Sequence, residues 1–239
     1  MIEISGVSKT YGGKVKALDN VTLNVDAGCI YGFLGPNGAG KTTMIKLIAG
    51  ILNPDSGTIF VNGRDVVKEA LAAKMSIGFV PDDPNIFLRL KGIEYLAFMA
   101  DMYGVPSGER SETIERLARR FEMSSALADK IHSYSHGMRQ KIVIMGALLH
   151  RPRVWILDEP MTGLDPKSAF ELKTMMREQA DDGNTVFFST HVLEVAEKVC
   201  DKVAVINAGR ILYAGGMKDM KKSSDVSLEK MFLEMTQNA

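Results

Sequence analysis

Cysteine is scarce: Cys29 and Cys200 are the only two in 239 residues. They lie far apart in the chain and lack metal-ligand spacing, which excludes a disulfide framework or a thiolate metal site. Both read as reduced thiols packed as small apolar residues. A surplus of one charge is missing too, because 29 basic side chains meet 29 acidic ones. A broad nucleic-acid footprint needs an excess of Lys and Arg on one face, so nucleic acid is not expected as a partner. Long apolar runs are absent. The heaviest, at 142–149, contains Gly146 and falls far short of the about 20 residues that cross a membrane. Met1-Ile2-Glu3 puts no basic segment ahead of an apolar one, so no signal peptide is expected. Internal repeats and low-complexity tracts are lacking as well. What remains, 46% apolar and 24% charged residues, is the composition of an ordinary soluble globular protein. A chain of this length buries roughly 70% of its unfolded surface and needs no staple.

The first third shows strands and tight turns. Val21, Leu23 and Val25 alternate with polar residues, as in a half-buried strand. The run at 58–61 leads into Asn62-Gly63, the strongest short hairpin signal. Short apolar runs stand at 30–34, 154–157, 185–189 and 203–206, and all but the last lead through a loop into helical periodicity. Continuous apolar strands alternating with helices predict a parallel sheet covered on both faces. From about Gly92 to Leu149 no strand is convincing. Tyr95, Leu96 and Met99 fall at helical spacing there, as do Ile114, Leu117, Ala118 and Phe121. The stretch 89–149 therefore predicts a helical insertion between two halves of an α/β core, 1–88 and 150–220. Beyond Gly216, Leu228, Met231, Phe232 and Met235 form one stripe, which predicts a C-terminal amphipathic helix over 221–239 docked on its own chain.

Gly35-Pro36-Asn37-Gly38-Ala39-Gly40-Lys41-Thr42 fits G-x-x-x-x-G-K-[ST] in full and is followed by Thr43. The motif follows an apolar strand and opens a helix carrying Met44, Ile45, Leu47 and Ile48, with Gly50 as its stop. Glycines let backbone N–H groups face phosphates, and the helix N-terminus favours anions. Lys41 can reach the terminal phosphates, and the Thr42 hydroxyl can ligate Mg²⁺. This context implies a nucleoside triphosphate site. The strand at 154–157 ends in Asp158 and Glu159. An Asp there helps hold Mg²⁺, and the next carboxylate can orient and deprotonate an attacking water.

Further segments carry a resemblance. Tyr134-Ser-His-Gly-Met-Arg-Gln-Lys141 resembles the signature motif of ATP-binding cassette (ABC) proteins, and Pro160-Met-Thr-Gly-Leu-Asp165 looks like their D-loop. Ser189-Thr-His191 looks like their switch histidine, and Thr10-Tyr11-Gly12 like their adenine-stacking segment. The ordered set spans roughly residues 1 to 220. It implies a P-loop NTPase (RecA-like) core with a parallel sheet, an N-terminal antiparallel β part and an inserted α-helical subdomain carrying the signature. It also implies a head-to-tail pair, formed with a second copy or a related ATPase subunit, with ATP and Mg²⁺ between one phosphate loop and the opposite signature. Ser135 and the Gly137 backbone would then touch the opposite γ-phosphate. His191 would hold the attacking water together with Glu159, Asp165 would lie at the seam, and Tyr11 would stack on adenine.

Three positions depart from the family pattern. The common Leu-Ser-Gly-Gly-Gln is here Tyr134 to Met138, with His136 read as a variant tolerated at the seam. Asp82 follows Pro81 where the family has Gln; it is a hard oxygen donor that can also ligate Mg²⁺ but brings extra negative charge. Met161-Thr162 replaces the usual small residues of the D-loop. Ser-x-Gly-Met signatures with an acid after that Pro resemble ATPase subunits of bacterial ABC-2-type exporters. The expected role is therefore ATP hydrolysis at the cytoplasmic face of the cell membrane, driving a separate transmembrane permease subunit. A soluble ABC ATPase acting in translation or on DNA is the alternative; such proteins carry two cassettes or long basic insertions. A GTPase would need a guanine-reading Asn/Thr-Lys-x-Asp segment, and none is found.

Overall fold

The computed structural model describes residues 1–222 and Phe232. In chain order the elements are β1 (Ile2–Tyr11), β2 (Val15–Val25), β3 (Ile30–Leu34), α1 (Lys41–Ile48), β4 (Ser56–Val61), β5 (Arg64–Asp65), α2 (Ala70–Met75) and β6 (Ile77–Val80). Then come α3 (Gly92–Met102), α4 (Ser107–Arg120), a 3₁₀ turn (Ile131–Ser133) and α5 (His136–Leu148). The chain continues through β7 (Val154–Leu157), α6 (Pro166–Asp181), β8 (Thr185–Thr190), α7 (Leu193–Val199), β9 (Lys202–Asn207), β10 (Arg210–Gly216) and α8 (Met217–Lys222). Leu228, Met231 and Met235 of the expected C-terminal stripe lie outside the described residues, while Phe232 packs partly buried against the larger core cluster.

The strands form two sheets, β2-β1-β4-β5 and β10-β9-β3-β8-β7-β6. The first is antiparallel throughout, and its β4–β5 hairpin turns at Asn62-Gly63. In the second, β6, β7, β8, β3 and β9 run parallel, and β10 closes the edge antiparallel to β9. The continuous apolar runs serve two cores at once. Ile30, Leu34, Trp155, Leu157, Val186 and Phe188 belong to one buried cluster, which reaches the helical segment. Their neighbours Tyr31, Phe33, Val154, Ile156 and Phe187 belong to the other, shared with α1 and the antiparallel sheet. Alternation between clusters is what a strand buried on both faces requires. Cys29 and Cys200 are free and buried, one in each cluster, and burial raises both thiol pKa values.

Caps and a few polar ties set the helices. The Ser135 side chain accepts from the Met138 amide and starts α5, and Asp165 accepts from the Ser168 amide and starts α6, with Pro166 in the first turn. Arg120 at the end of α4 reaches α6 through Glu171 and a two-pronged pair with Glu178 at 2.6 and 2.9 Å. His150 stacks on Tyr103 with ring centroids 3.7 Å apart, and its Nε2 lies 3.1 Å from the Ile77 carbonyl. Burial lowers the pKa of His150 to about 4, so it ties the helices to the start of β6 as a neutral ring that donates from Nε2.

Candidate nucleotide-binding site

Parallel pairing collects the site at one end of the sheet. Val80 pairs with Leu157, Leu157 with Phe188, and Leu34 with Thr190, so the chain leaves β6, β7, β8 and β3 side by side. Asp82, Asp158-Glu159, Ser189 to His191 and the loop from Gly35 thereby converge at the carboxyl ends of neighbouring strands, where open α/β sheets bind ligands.

The glycine loop is held against β2 and β9. A Cβ at Gly35 would meet the Ile206 carbonyl oxygen at 2.5 Å. Gly40 has φ of +109°, and a Cβ there would lie 2.5 Å from the Ala17 carbonyl oxygen. Neither position tolerates a side chain, so the motif glycines permit close backbone approach as well as phosphate access. Lys41 is only 7% exposed; its Nζ donates to the carbonyls of Gly35 at 2.7 Å and Pro36 at 3.2 Å. The same ammonium lies 3.5 Å from Glu159 Oε1.

Glu159 is held at φ +46°, a left-handed conformation that costs a non-glycine residue about 1 kcal/mol. Ser189 keeps it there. Its hydroxyl accepts the Glu159 amide at 3.0 Å and donates to Asp158 Oδ1 at 2.6 Å, joining both carboxylate residues through one atom. His191 Nδ1 lies 3.0 Å from the same Glu159 Oε1 that faces Lys41. Burial raises the pKa of Asp82, with further upward contributions from Asp158, Glu159 and Asp83.

Asn37, Gly38, Gly40, Lys41, Thr42, Thr43, Asp82 and Glu159 all line one cavity of about 340 Å³. Asp158 is buried behind it, and His191 reaches it through Glu159. Tyr11 is 42% exposed, and its hydroxyl stands 3.5 Å from Thr43 Oγ1. Ser135, Gly137 and Asp165 do not line the cavity. The Asp165 carboxyl is committed to the Ser168 hydroxyl and amide and to Lys141, which together hold its pKa well below the carboxylate range. Sequence reasoning missed Ser189 as the joint of the two carboxylates, and it missed Lys16, Ala17 and Gly209 as part of the cavity wall. No motif marks the wall residues; only the packing of β2 and the β9–β10 turn against the loop puts them there.

A glycine-rich phosphate cradle at a helix start, a buried strand-end Asp and a Glu held between Lys and His define a P-loop ATPase. The family described as ABC transporter matches residues 18–162, and the chain belongs to it. The chain is 36% identical over 220 residues to the daunorubicin resistance ATP-binding protein DrrA3 of Streptomyces coeruleorubidus, covering 92% of this chain and 69% of that one. It is 35% identical over 227 residues to the ABC transporter ATP-binding protein NatA of Bacillus subtilis, covering 93% and 92%. A solved ATP-binding subunit of an ABC transporter superposes with a TM-score of 0.93 at 32% identity, over 98% of this chain and 99% of that one. The protein is an ATP-hydrolysing, nucleotide-binding ABC transporter subunit.

Proposed function

We propose that this subunit powers export through a separate transmembrane permease at the cytoplasmic face of the cell membrane. It works as a head-to-tail pair with a second copy or a related ATPase subunit. The observation that carries this reading is the separation of Ser135 and Gly137 from the phosphate-loop cavity of their own chain. Gly137 lies in the first turn of α5, whose free N–H groups suit an anion supplied by an opposite subunit. The drug-resistance relative supports export. Exposed apolar residues support the permease contact: Phe87 on the loop leading from Asp82 and Phe98 and Met102 on α3, with Phe87 and Phe98 ring centroids 5.3 Å apart.

In this reading the loop amides and Lys41 hold the triphosphate, and Tyr11 stacks on adenine. Glu159 takes the proton of the attacking water while His191 orients that carboxylate. Thr42 and Asp82 line the cavity and Asp158 is buried behind it; their hard oxygen donors are a set that suits Mg²⁺. When bound, Mg²⁺ supplies positive charge to the phosphate oxygens. ATP binding closes the pair and hydrolysis reopens it.

Asp82→Gln should keep ATPase activity within about tenfold, because a neutral amide oxygen can replace the carboxylate as ligand. The folded chain holds the Asp82 proton more tightly than the unfolded chain does. Stability is therefore greater below the carboxylate range and falls as pH rises through it. At neutral pH the variant should melt no lower than wild type without ligand. An ATPase loss above about a hundredfold, too large for exchange of one oxygen ligand, would give the carboxylate a further duty.

Affinity purification of the tagged chain from native cells, comparing solubilised membranes with cytosol, tests the assignment. Stoichiometric recovery of a polytopic membrane protein is the expected result. Recovery from cytosol alone, with ribosomes or DNA, would overturn it.

A further inference from the structure

His136 stands where the common signature has glycine, and the roles given above leave its side chain unused. Its ring lies against the turn that follows the catalytic carboxylates. A Cβ built on Gly163 would come 2.2 Å from His136 Cδ2 and 3.0 Å from Nε2. A Cβ built on Gly137 would come 2.6 Å from the Gly163 carbonyl oxygen. The start of α5 thus grips Gly163 from two sides, with the imidazole on its Cα and the helix backbone on its carbonyl. Two polar links extend the grip. Gln140 Nε2 donates to the Pro160 carbonyl at 3.4 Å, and Lys141 Nζ lies 3.0 Å from Asp165. All these contacts fall within one chain. They join the first turns of α5 to the segment 160–165, which begins immediately after Glu159.

That segment needs such support. Glu159 and Gly163 both have left-handed backbone, with φ of +46° and +76°. Glu159 keeps that conformation only when its surroundings over-determine it, and Gly163, which takes φ > 0 without cost, gives the loop no rigidity of its own. Glycine at 136 would remove the ring and its dispersion contact with Gly163, leaving the backbone approach at Gly137 and the two polar links to locate the loop.

We propose that His136 is a positioning residue for hydrolysis. It makes the start of α5 and the loop 160–165 one rigid body, so that a phosphate engaged by Ser135 and Gly137 sets the orientation of Glu159 in the same chain. The proposal rests on the head-to-tail reading. It converts a departure from the family pattern into a physical link between the nucleotide in the opposite site and the general base of the chain's own site.

A double-mutant cycle tests it. His136→Gly should lower kcat by about tenfold and leave KM within about twofold, because nucleotide contacts are kept while the base is misplaced. Gly163→Ala should cost about a hundredfold, since the added methyl meets the ring and the left-handed backbone is strained. Combining the two should recover about tenfold over Gly163→Ala alone, because the clashing ring is gone. His136→Phe, which keeps a planar ring without its nitrogens, should stay near the wild-type rate. Losses that simply multiply, or a Phe variant as slow as the Gly variant, would overturn the proposal. If Gly163→Ala does not fold, hydrogen exchange of the 161–165 amides in the nucleotide-free His136→Gly chain decides. Protection should fall by about tenfold, the size of one lost packing contact, and unchanged protection would also overturn it. Exchange reads the contact within a single chain, so its outcome is independent of pairing. Sedimentation of Glu159→Gln with ATP reads the pairing separately.

Discussion

Glu159→Gln is expected to lower kcat by about a thousandfold and to trap the ATP-bound pair, because a general base contributes about 10²–10⁴. The substitution is nearly isosteric and removes the negative charge and with it the ability to take a proton. The amide of residue 159 still donates to Ser189, and the side-chain carbonyl can still accept from Lys41 and from His191 Nδ1. Binding should therefore survive while turnover stops. Steady-state ATPase kinetics combined with sedimentation in ATP checks both halves. Turnover at the wild-type rate would remove Glu159 from the role of base. A monomer in saturating ATP, with catalysis abolished, would leave the base in place and contradict the head-to-tail closure.

Lys41→Ala should weaken ATP binding by about a hundredfold, equivalent to about 2.7 kcal/mol. The ammonium is buried and has three oxygen neighbours in its own chain: the carbonyls of Gly35 and Pro36 and Glu159 Oε1. Its removal also takes the donor from the buried Gly35 carbonyl, at about 1–3 kcal/mol, while the Pro36 carbonyl keeps the Ala39 amide. The ligand-free melting temperature should accordingly fall by several degrees, at about 2–4 °C per kcal/mol for a chain of this size. The rise in melting temperature caused by ATP should shrink much more, because ligand stabilisation scales with the logarithm of affinity. Titration calorimetry and thermal melts with and without ATP separate the two effects. An ATP-induced rise equal to wild type, with only the ligand-free value lowered, would show a purely structural lysine.

Some features were legible because short-range physics dictates them. The glycine spacing from Gly35 to Gly40, followed by Lys41 and Thr42, admits one geometry between a buried strand and a helix, and it is the one observed. The apolar runs at β3, β7 and β8 required burial on two faces and obtained it. Asn62-Gly63 gave its hairpin, and Asn62 takes the left-handed φ of +49° that such a turn requires. β10 was not read, since Arg210, Ala214 and three glycines from 209 to 216 dilute the alternation of Ile211 and Tyr213. Its strand form comes from pairing with β9, a contact that local pattern does not encode.

The sequence alone pointed to a nucleoside triphosphate and placed the expected phosphate loop at 35–42, because that motif is contiguous and its backbone needs are local. The tertiary structure decided how the cradle is completed. Strand order β3-β8-β7-β6 set Ser189 between Asp158 and Glu159, Lys41 and His191 on one carboxylate oxygen, and Asp82 beside them. It also set His136 on Gly163 and Lys141 on Asp165. These partners stand 24 to 118 residues apart in the chain, so no local spacing expresses them; they meet because parallel strands end side by side and the helices pack over them.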